Sequence, residues 1–154
     1  MNVEIVAFPR TKVAAIEHHG SPAREHDTAR KLIAWKLEQR LLNPSKHRSY
    51  GIHYTDPRTT PPADHRVDFC LSIEDDVAPN SLGVVTKVIP ANRCARARDI
   101  GSRHDNRAVA YLYGEWLAHS GEMPGDFPVF FHYVNVGPNV PEQEMITDVY
   151  LPLR

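Results

Sequence analysis

The sequence predicts an α+β fold built from two copies of one strand–helix–strand–strand unit, and three observations carry that expectation. A shift of 81 positions lays Pro9, Ala14, Gly20, Ser21, Ala29 and Trp35 on Pro90, Ala95, Gly101, Ser102, Ala110 and Trp116. With a residue or two of drift the match continues: HYTDP at 53–57 answers HYVNV at 132–136, and VDFCL at 67–71 answers TDVYL at 147–151. Each copy also places short apolar or alternating segments around one stretch of helical spacing. Duplicated supersecondary units pack on each other, so we expect one domain with repeats at about 1–78 and 79–154. The expected architecture has pseudo-twofold symmetry, an antiparallel sheet and two helices, with the groove between repeats as the first place for a site.

In the first copy, Val3 to Phe8 is apolar, Pro9-Arg10 turns the chain, and Lys12 to His18 forms a second strand. Gly20-Ser21-Pro22 breaks that strand, with Ser21 a helix cap and Pro22 at the first helical position. The spacing predicts a helix from about Ala23 to Leu41, with Ala29, Ile33, Leu37 and Leu41 on its apolar stripe and Asn43-Pro44 ending it. Strands follow at 48–54 and 66–73, joined by a proline-rich loop. The second copy gives strands at 83–89 and 93–99, a helix from about Arg103 to His119 capped by Ser102, and strands at 128–134 and 144–153. Val109, Leu112 and Trp116 make the apolar face of that helix.

Strand alternation orients the last strand of each copy. Val67, Phe69, Leu71 and Ile73 point to the core, as do Thr147, Val149, Leu151 and Leu153, leaving Asp68 and Asp148 at equivalent positions on the other face. If that face closes on a cleft the aspartates line it; if it meets water they are ordinary solvated carboxylates.

Composition narrows the function classes. At 154 residues the chain can bury a core without metal or disulfide staples. A net charge of -1 argues against direct nucleic-acid binding, which needs a concentrated basic surface. The one basic concentration, Arg93, Arg96, Arg98, Arg103 and Arg107, is diluted by Asp99 and Asp105 and reads as a solvated strand edge and helix start. No apolar run reaches membrane-spanning length and the N-terminus has no signal-peptide core, so a cytoplasmic location and no membrane partner are expected. Cys70 and Cys94 lie in strand-like segments as buried free thiols.

Catalytic and metal motifs are missing. Nine histidines occur, but without HExxH, paired CxxC or His-x-His spacing, so no metal and no cofactor is expected. No glycine-rich phosphate loop and no G-x-S-x-G elbow is present. Aromatic residues at repeat-related places stand out instead: Trp35 and Trp116 on the helices, Tyr113 one turn before Trp116, Tyr54 and Tyr133 on matching strands, and Phe131 on the face of Tyr133. An aromatic box with a carboxylate binds flat, often cationic molecules; the same residues could equally be core.

The order and spacing of VAxIxHxGS (Val13 to Ser21), GIxYxDPxxTP (Gly51 to Pro61), RVDFC (Arg66 to Cys70), IPAxRxA (Ile89 to Ala95), the helical Trp116, PVFFHYxN (Pro128 to Asn135) and DVYLPL (Asp148 to Leu153) resemble the GyrI-like small-molecule-binding domain. This is the effector-binding module of AraC-type and MerR-type multidrug regulators, also found as free-standing proteins. The resemblance implies a duplicated strand–helix–strand–strand fold and a groove taking hydrophobic, often cationic compounds. It carries the family's helix tryptophan to Trp116, the tyrosine of its F-E-x-Y strand to Tyr133 and its last-strand acid to Asp148. Phe131 stands where many relatives have that Glu, which weakens the case for a cationic ligand and for acid–base catalysis. No helix-turn-helix module accompanies the domain, so a free-standing binding protein is expected.

The expected ligand-binding residues are Trp116, Tyr113, Phe131, Tyr133, Tyr54 and Asp148, with Asp68 as a lesser candidate, and no catalytic residue is assigned. The leading reading is binding of a small hydrophobic or amphipathic molecule. Two alternatives stay open: an interaction protein that inhibits DNA gyrase, and a hydrolase of strained genotoxic natural products.

Overall fold

A computed structural model describes residues 1–154. The chain is α+β, with all its strand pairings antiparallel, and divides into two compact units. One comprises Met1–Pro9 with Ala91–Arg154, the other Arg10–Pro90; we call them the Trp116 unit and the Trp35 unit. No helix is long and apolar enough to cross a membrane.

The Trp35 unit contains β2 (Thr11–His19), α1 (Glu25–Glu38), β3 (Ser49–His53), β4 (Arg66–Ser72) and β5 (Val85–Ile89), its strands ordered β3-β4-β2-β5. The Trp116 unit contains β1 (Val3–Phe8), β6 (Asn92–Ile100), a helix in three parts, β7 (Phe130–Tyr133) and β8 (Ile146–Pro152), ordered β1-β6-β8-β7. The two orders are the same pattern, but unit boundaries and sequence repeats do not coincide. The first strand of each repeat pairs in the other repeat's unit, β1 with β6 and β5 with β2. The register gives the reason: Phe8 opposes Asn92 and Thr11 opposes Ile89, so the Pro9-Arg10 and Pro90-Ala91 turns send the chain from one unit to the other. Strand β6, expected at a solvated edge, lies inside its sheet between β1 and β8.

The repeated Gly-Ser has one structural cause. Gly20 and Gly101 adopt φ of 116° and 133°, conformations that L side chains rarely adopt. Their amides donate to the carbonyls of His65 and Met145 at 2.9 and 2.8 Å, closing equivalent corners. Ser21 Oγ then accepts from the Ala23 amide, with Pro22 opening a short 3₁₀ turn ahead of α1. In the second copy Ser102 caps only a turn, accepting from His104 N. The helix itself starts at Arg107 under Asn106, whose side chain accepts from Val109 N, so the cap lies four residues beyond the expected one.

The face that α1 buries also differs from the predicted stripe. Leu32 and Trp35 are buried, whereas Ile33 and Leu37 are 54 % and 58 % exposed. Thr28 bonds to His18 Nδ1 on β2 at 2.7 Å, and Thr28, Leu32 and Trp35 share one helical face. The large area of Trp35 together with that bond outweighs the aliphatic stripe. Trp35 packs with Ala14, Ile16, Leu32, Leu71 and Val84, flanked by Phe69 and Ile73.

In the Trp116 unit the helix runs through α2 (Arg107–Tyr111), a wide π turn (Leu112–Trp116) and α3 (Leu117–Ser120), ending at Gly121 in the left-handed region. In α1 the buried pair Leu32 and Trp35 is three positions apart; here buried Leu112 and half-buried Trp116 are four apart, and the π turn takes up the extra residue. Ala108 and Leu112 pack on Ala95, Ala97, Val149, Leu151 and Leu153, with Val109, Trp116 and Phe131 against the rim of that cluster. The orientation expected for Phe69, Leu71 and Ile73 and for Val149, Leu151 and Leu153 therefore holds.

Candidate functional site

Ladder register decides which candidate residues share a face. In the Trp116 unit His132 opposes Asp148 and Tyr133 opposes Thr147; in the Trp35 unit Ile52 opposes Asp68 and His53 opposes Val67. With the two aspartates equivalent, Tyr133 matches His53, and Tyr54 matches Val134: the amides of Tyr54 and Val134 donate to Arg66 O and Ile146 O, the same step of each ladder. The HYTDP–HYVNV alignment is thus one residue out of register. That single step puts Tyr54 and Tyr133 on opposite sheet faces.

On the helix side of the Trp116 unit lie Trp116, Phe131 and Tyr133. Phe131 and Tyr133 meet edge to face at 6.4 Å between ring centroids. Arg103 lies over the Tyr133 ring at 5.1 Å. Its Nε donates to Thr147 Oγ1, and its Nη2 donates to the carbonyls of Asn135 and Ile146. Tyr113, on the π turn, is 46 % exposed. A π turn often marks a functional site, because the widened turn re-aims side chains that a regular helix would hold elsewhere.

Asp148 lies on the other face of this sheet. It is buried and accepts two hydrogen bonds from Arg98, 2.7 Å from Nε and 3.0 Å from Nη2. This pairing raises the pKa of Arg98. A polar pocket of about 350 Å³ opens there, lined by Asn2, Glu4, Arg96, Arg98 and Asp148. Phe8, Phe130 and Tyr150 fill the same face nearby, Phe130 stacked on Tyr150 at 5.0 Å.

Tyr54 and Asp68 come together in the Trp35 unit. Asp68 is fully buried; its Oδ2 accepts from the Tyr54 hydroxyl and from Lys87 Nζ, both at 2.7 Å, and its Oδ1 has no partner. Burial, with the bond to Asp68 added, pushes the Tyr54 hydroxyl well above its ordinary value. Lys87 also binds Glu17, whose carboxyl it pulls below the usual range. Burial alone would work against the Lys87 charge, but its two carboxylates outweigh it and raise its pKa. Arg66 sits 4.3 Å from the Tyr54 ring centroid. Neither aspartate is the solvated carboxylate that a water-facing strand would have made it.

The Trp35 unit also gathers three histidines that spacing did not flag. His65 is buried between Thr55 Oγ1 at 2.9 Å and Glu25 Oε2 at 2.9 Å, and its ring meets that of His18 at 6.1 Å. His53 is held in neutral form, its pKa lowered to about 4 by burial and then by His65. His65 through Glu25 and His18 through Thr28 fasten the start of α1. No three His, Cys, Asp or Glu side chains converge to hold a metal ion.

The candidate residues therefore fall in three places: Trp116, Tyr113, Phe131 and Tyr133 on the helix side of one unit, Asp148 on its opposite face, and Tyr54 with Asp68 in the other unit. Arg103, Arg98 and Lys87 complete these groups. Their signal in the sequence was charge placed one strand or one turn from an aromatic or acidic candidate, which pairing alone could resolve.

Comparison with known proteins agrees with this architecture. The model of the GyrI-like small molecule binding domain matches residues 1–154. The probable transcriptional regulator YgiV of Escherichia coli K12 is 34 % identical over 154 residues, covering 99 % of this chain and 96 % of that protein. A DNA gyrase inhibitor of Erwinia billingiae is 26 % identical, covering 99 % and 97 %. Among solved structures, the isolated C-terminal domain of EcmrR superposes with a TM-score of 0.74 at 15 % identity, over 99 % of this chain and 97 % of that one. EcmrR in its DNA complex gives 0.77 at 14 % identity, and there the chain spans 57 % of the longer protein.

Proposed function

The chain belongs to the GyrI-like small-molecule-binding family over its full length, and from that membership we propose that it is a receptor for small hydrophobic or amphipathic molecules. We place the contact surface on the helix side of the Trp116 unit. The observation that carries this reading is the placement of Trp116 and Phe131 on the rim of a buried cluster, with Tyr133 edge to face on Phe131, beside a π turn that carries Tyr113. Aromatic rings at the edge of a packed core offer apolar area at low entropic cost, and a few polar groups beside them fix orientation. Sequestration of the compound, or control of a partner protein by it, follows as the use of such a receptor.

A thermal-shift and tryptophan-fluorescence screen against apolar and amphipathic aromatic compounds tests the reading. A hit should raise the melting temperature and quench emission, and the quenching should vanish in Trp116→Phe while persisting in Trp35→Phe. Hits whose quenching follows Trp35 instead would move the site off this surface.

A second reading is direct inhibition of DNA gyrase, supported by the resemblance to the Erwinia billingiae gyrase inhibitor. Inhibition of supercoiling by the purified chain, with no small molecule added, would favour it; full gyrase activity at micromolar protein would exclude it.

A further inference from the structure

Five arginines cluster between positions 93 and 107, and four of them meet carboxylates. Arg93 pairs with Glu122, Arg96 with Glu4, Arg98 with Asp148 and Arg107 with Asp99. Arg103 does not. Its Nε and Nη2 are spent on the Thr147 hydroxyl, the Asn135 side chain and the carbonyls of Asn135 and Ile146, all neutral acceptors. Nη1 makes none of these bonds and is not among the buried polar atoms left without a partner, so it reaches solvent. Arg103 is half-buried, and its guanidinium carbon lies over the Tyr133 ring. Burial without a counter-charge lowers its pKa from the usual arginine value, so the cation carries a desolvation cost that no protein anion offsets.

The surroundings of this cation are aromatic. Phe131 lies one ring away from Tyr133, two positions back on β7, on the same face as Thr147. The acid of this unit's last strand, Asp148, points to the opposite face and is held by Arg98. On the aromatic side, then, the chain presents a positive charge and an apolar ring.

We propose that this surface selects anionic aromatic compounds, with the flat ring against Phe131 and Tyr133 and the carboxylate or similar group on Arg103 Nη1. The inference rests on the receptor reading above and adds the sign of the ligand's charge. An anion there gains a charge-assisted hydrogen bond from a donor already oriented by three neutral partners and by Tyr133. A cation of the same shape would meet the unpaired charge of Arg103.

The test compares three probes with one ring system: pyrene-1-carboxylate, 1-pyrenylmethylammonium and 1-pyrenemethanol, read by fluorescence anisotropy on the wild-type chain. The carboxylate should bind at least about tenfold more tightly than the other two, the scale of one charge-assisted hydrogen bond. Arg103→Gln should bring the carboxylate to the level of the alcohol, Arg103→Lys should keep the preference, and Phe131→Glu should turn it toward the ammonium. If the alcohol binds as tightly as the carboxylate, or the ammonium binds more tightly, the charge selection is wrong while the aromatic receptor stands. If none of the three binds, both readings fall. The wild-type comparison decides even if a variant does not fold.

Discussion

The Tyr54 hydroxyl donates to Asp68 Oδ2 at 2.7 Å, and Asp68 is fully buried with its other oxygen unpartnered. A carboxylate in that position depends on each donor it has, since removing one leaves desolvated charge rather than hydrated charge. Tyr54→Phe should therefore cost about 1–3 kcal/mol of stability, measured by urea unfolding. An unchanged midpoint would mean that Lys87 alone satisfies Asp68.

The two tryptophans should separate stability from binding. Trp35 is 5 % exposed and sits in a closed cluster, so Trp35→Ala should cost about 3–5 kcal/mol. Trp116 lies at the rim of its cluster. Trp116→Ala should cost less stability but weaken a bound aromatic ligand by about 1–3 kcal/mol in calorimetric titration. Equal losses of stability with unaltered affinity would make both residues core.

Acid should weaken the Trp35 unit in a defined window. The pKa of His53 falls from its ordinary 6.5 to about 4 in the folded chain, so the unfolded chain binds more protons between these values. Stability is then full above about pH 6.5, declines as pH falls toward 4, and flattens below. With part of the residue's surface reaching solvent, a loss of about 1–3 kcal/mol is expected across the window. Glu17, whose carboxyl Lys87 holds low, loses its contribution only at lower pH. His53→Gln should flatten the slope of unfolding free energy against pH between 6.5 and 4.5; an identical slope would assign the effect to other groups.

Gly20 and Gly101 should resist substitution for conformational reasons. Nothing lies within 4 Å of a Cβ built on either, so added bulk is not the obstacle. Their φ values of 116° and 133° belong to a backbone conformation that L side chains rarely adopt, so a substitution there is strained whatever the space. Alanine at either position should cost about 1–3 kcal/mol, read as a drop in melting temperature, and a wild-type value would show that the corner relaxes freely.

The repeat, and with it the α+β architecture, was legible in the sequence, because proline, glycine-serine and tryptophan recur where each unit turns, caps and packs. So was the inward set Phe69, Leu71 and Ile73, because strand alternation is a local property. The aromatic candidates were legible as a list but not as a site. Tyr54 and Tyr133 look equivalent in the text of the sequence, and only the ladder register, one residue different, sends them to opposite faces. The stripe on α1 misled for a similar reason: helical periodicity offers two adjacent apolar faces, and the bond from Thr28 to His18 selects the one with Trp35.

The internal repeat and its periodicity determined that this chain folds as two like units, each with a tryptophan on its helix. Tertiary structure decided which of those residues share a face, which carboxylates are buried, and that Arg103 alone among its neighbouring arginines lacks a carboxylate partner. Pairing between strands far apart in sequence sets these relationships, and a shift of one residue, invisible to composition, moves every side chain of a strand to the other side of the sheet.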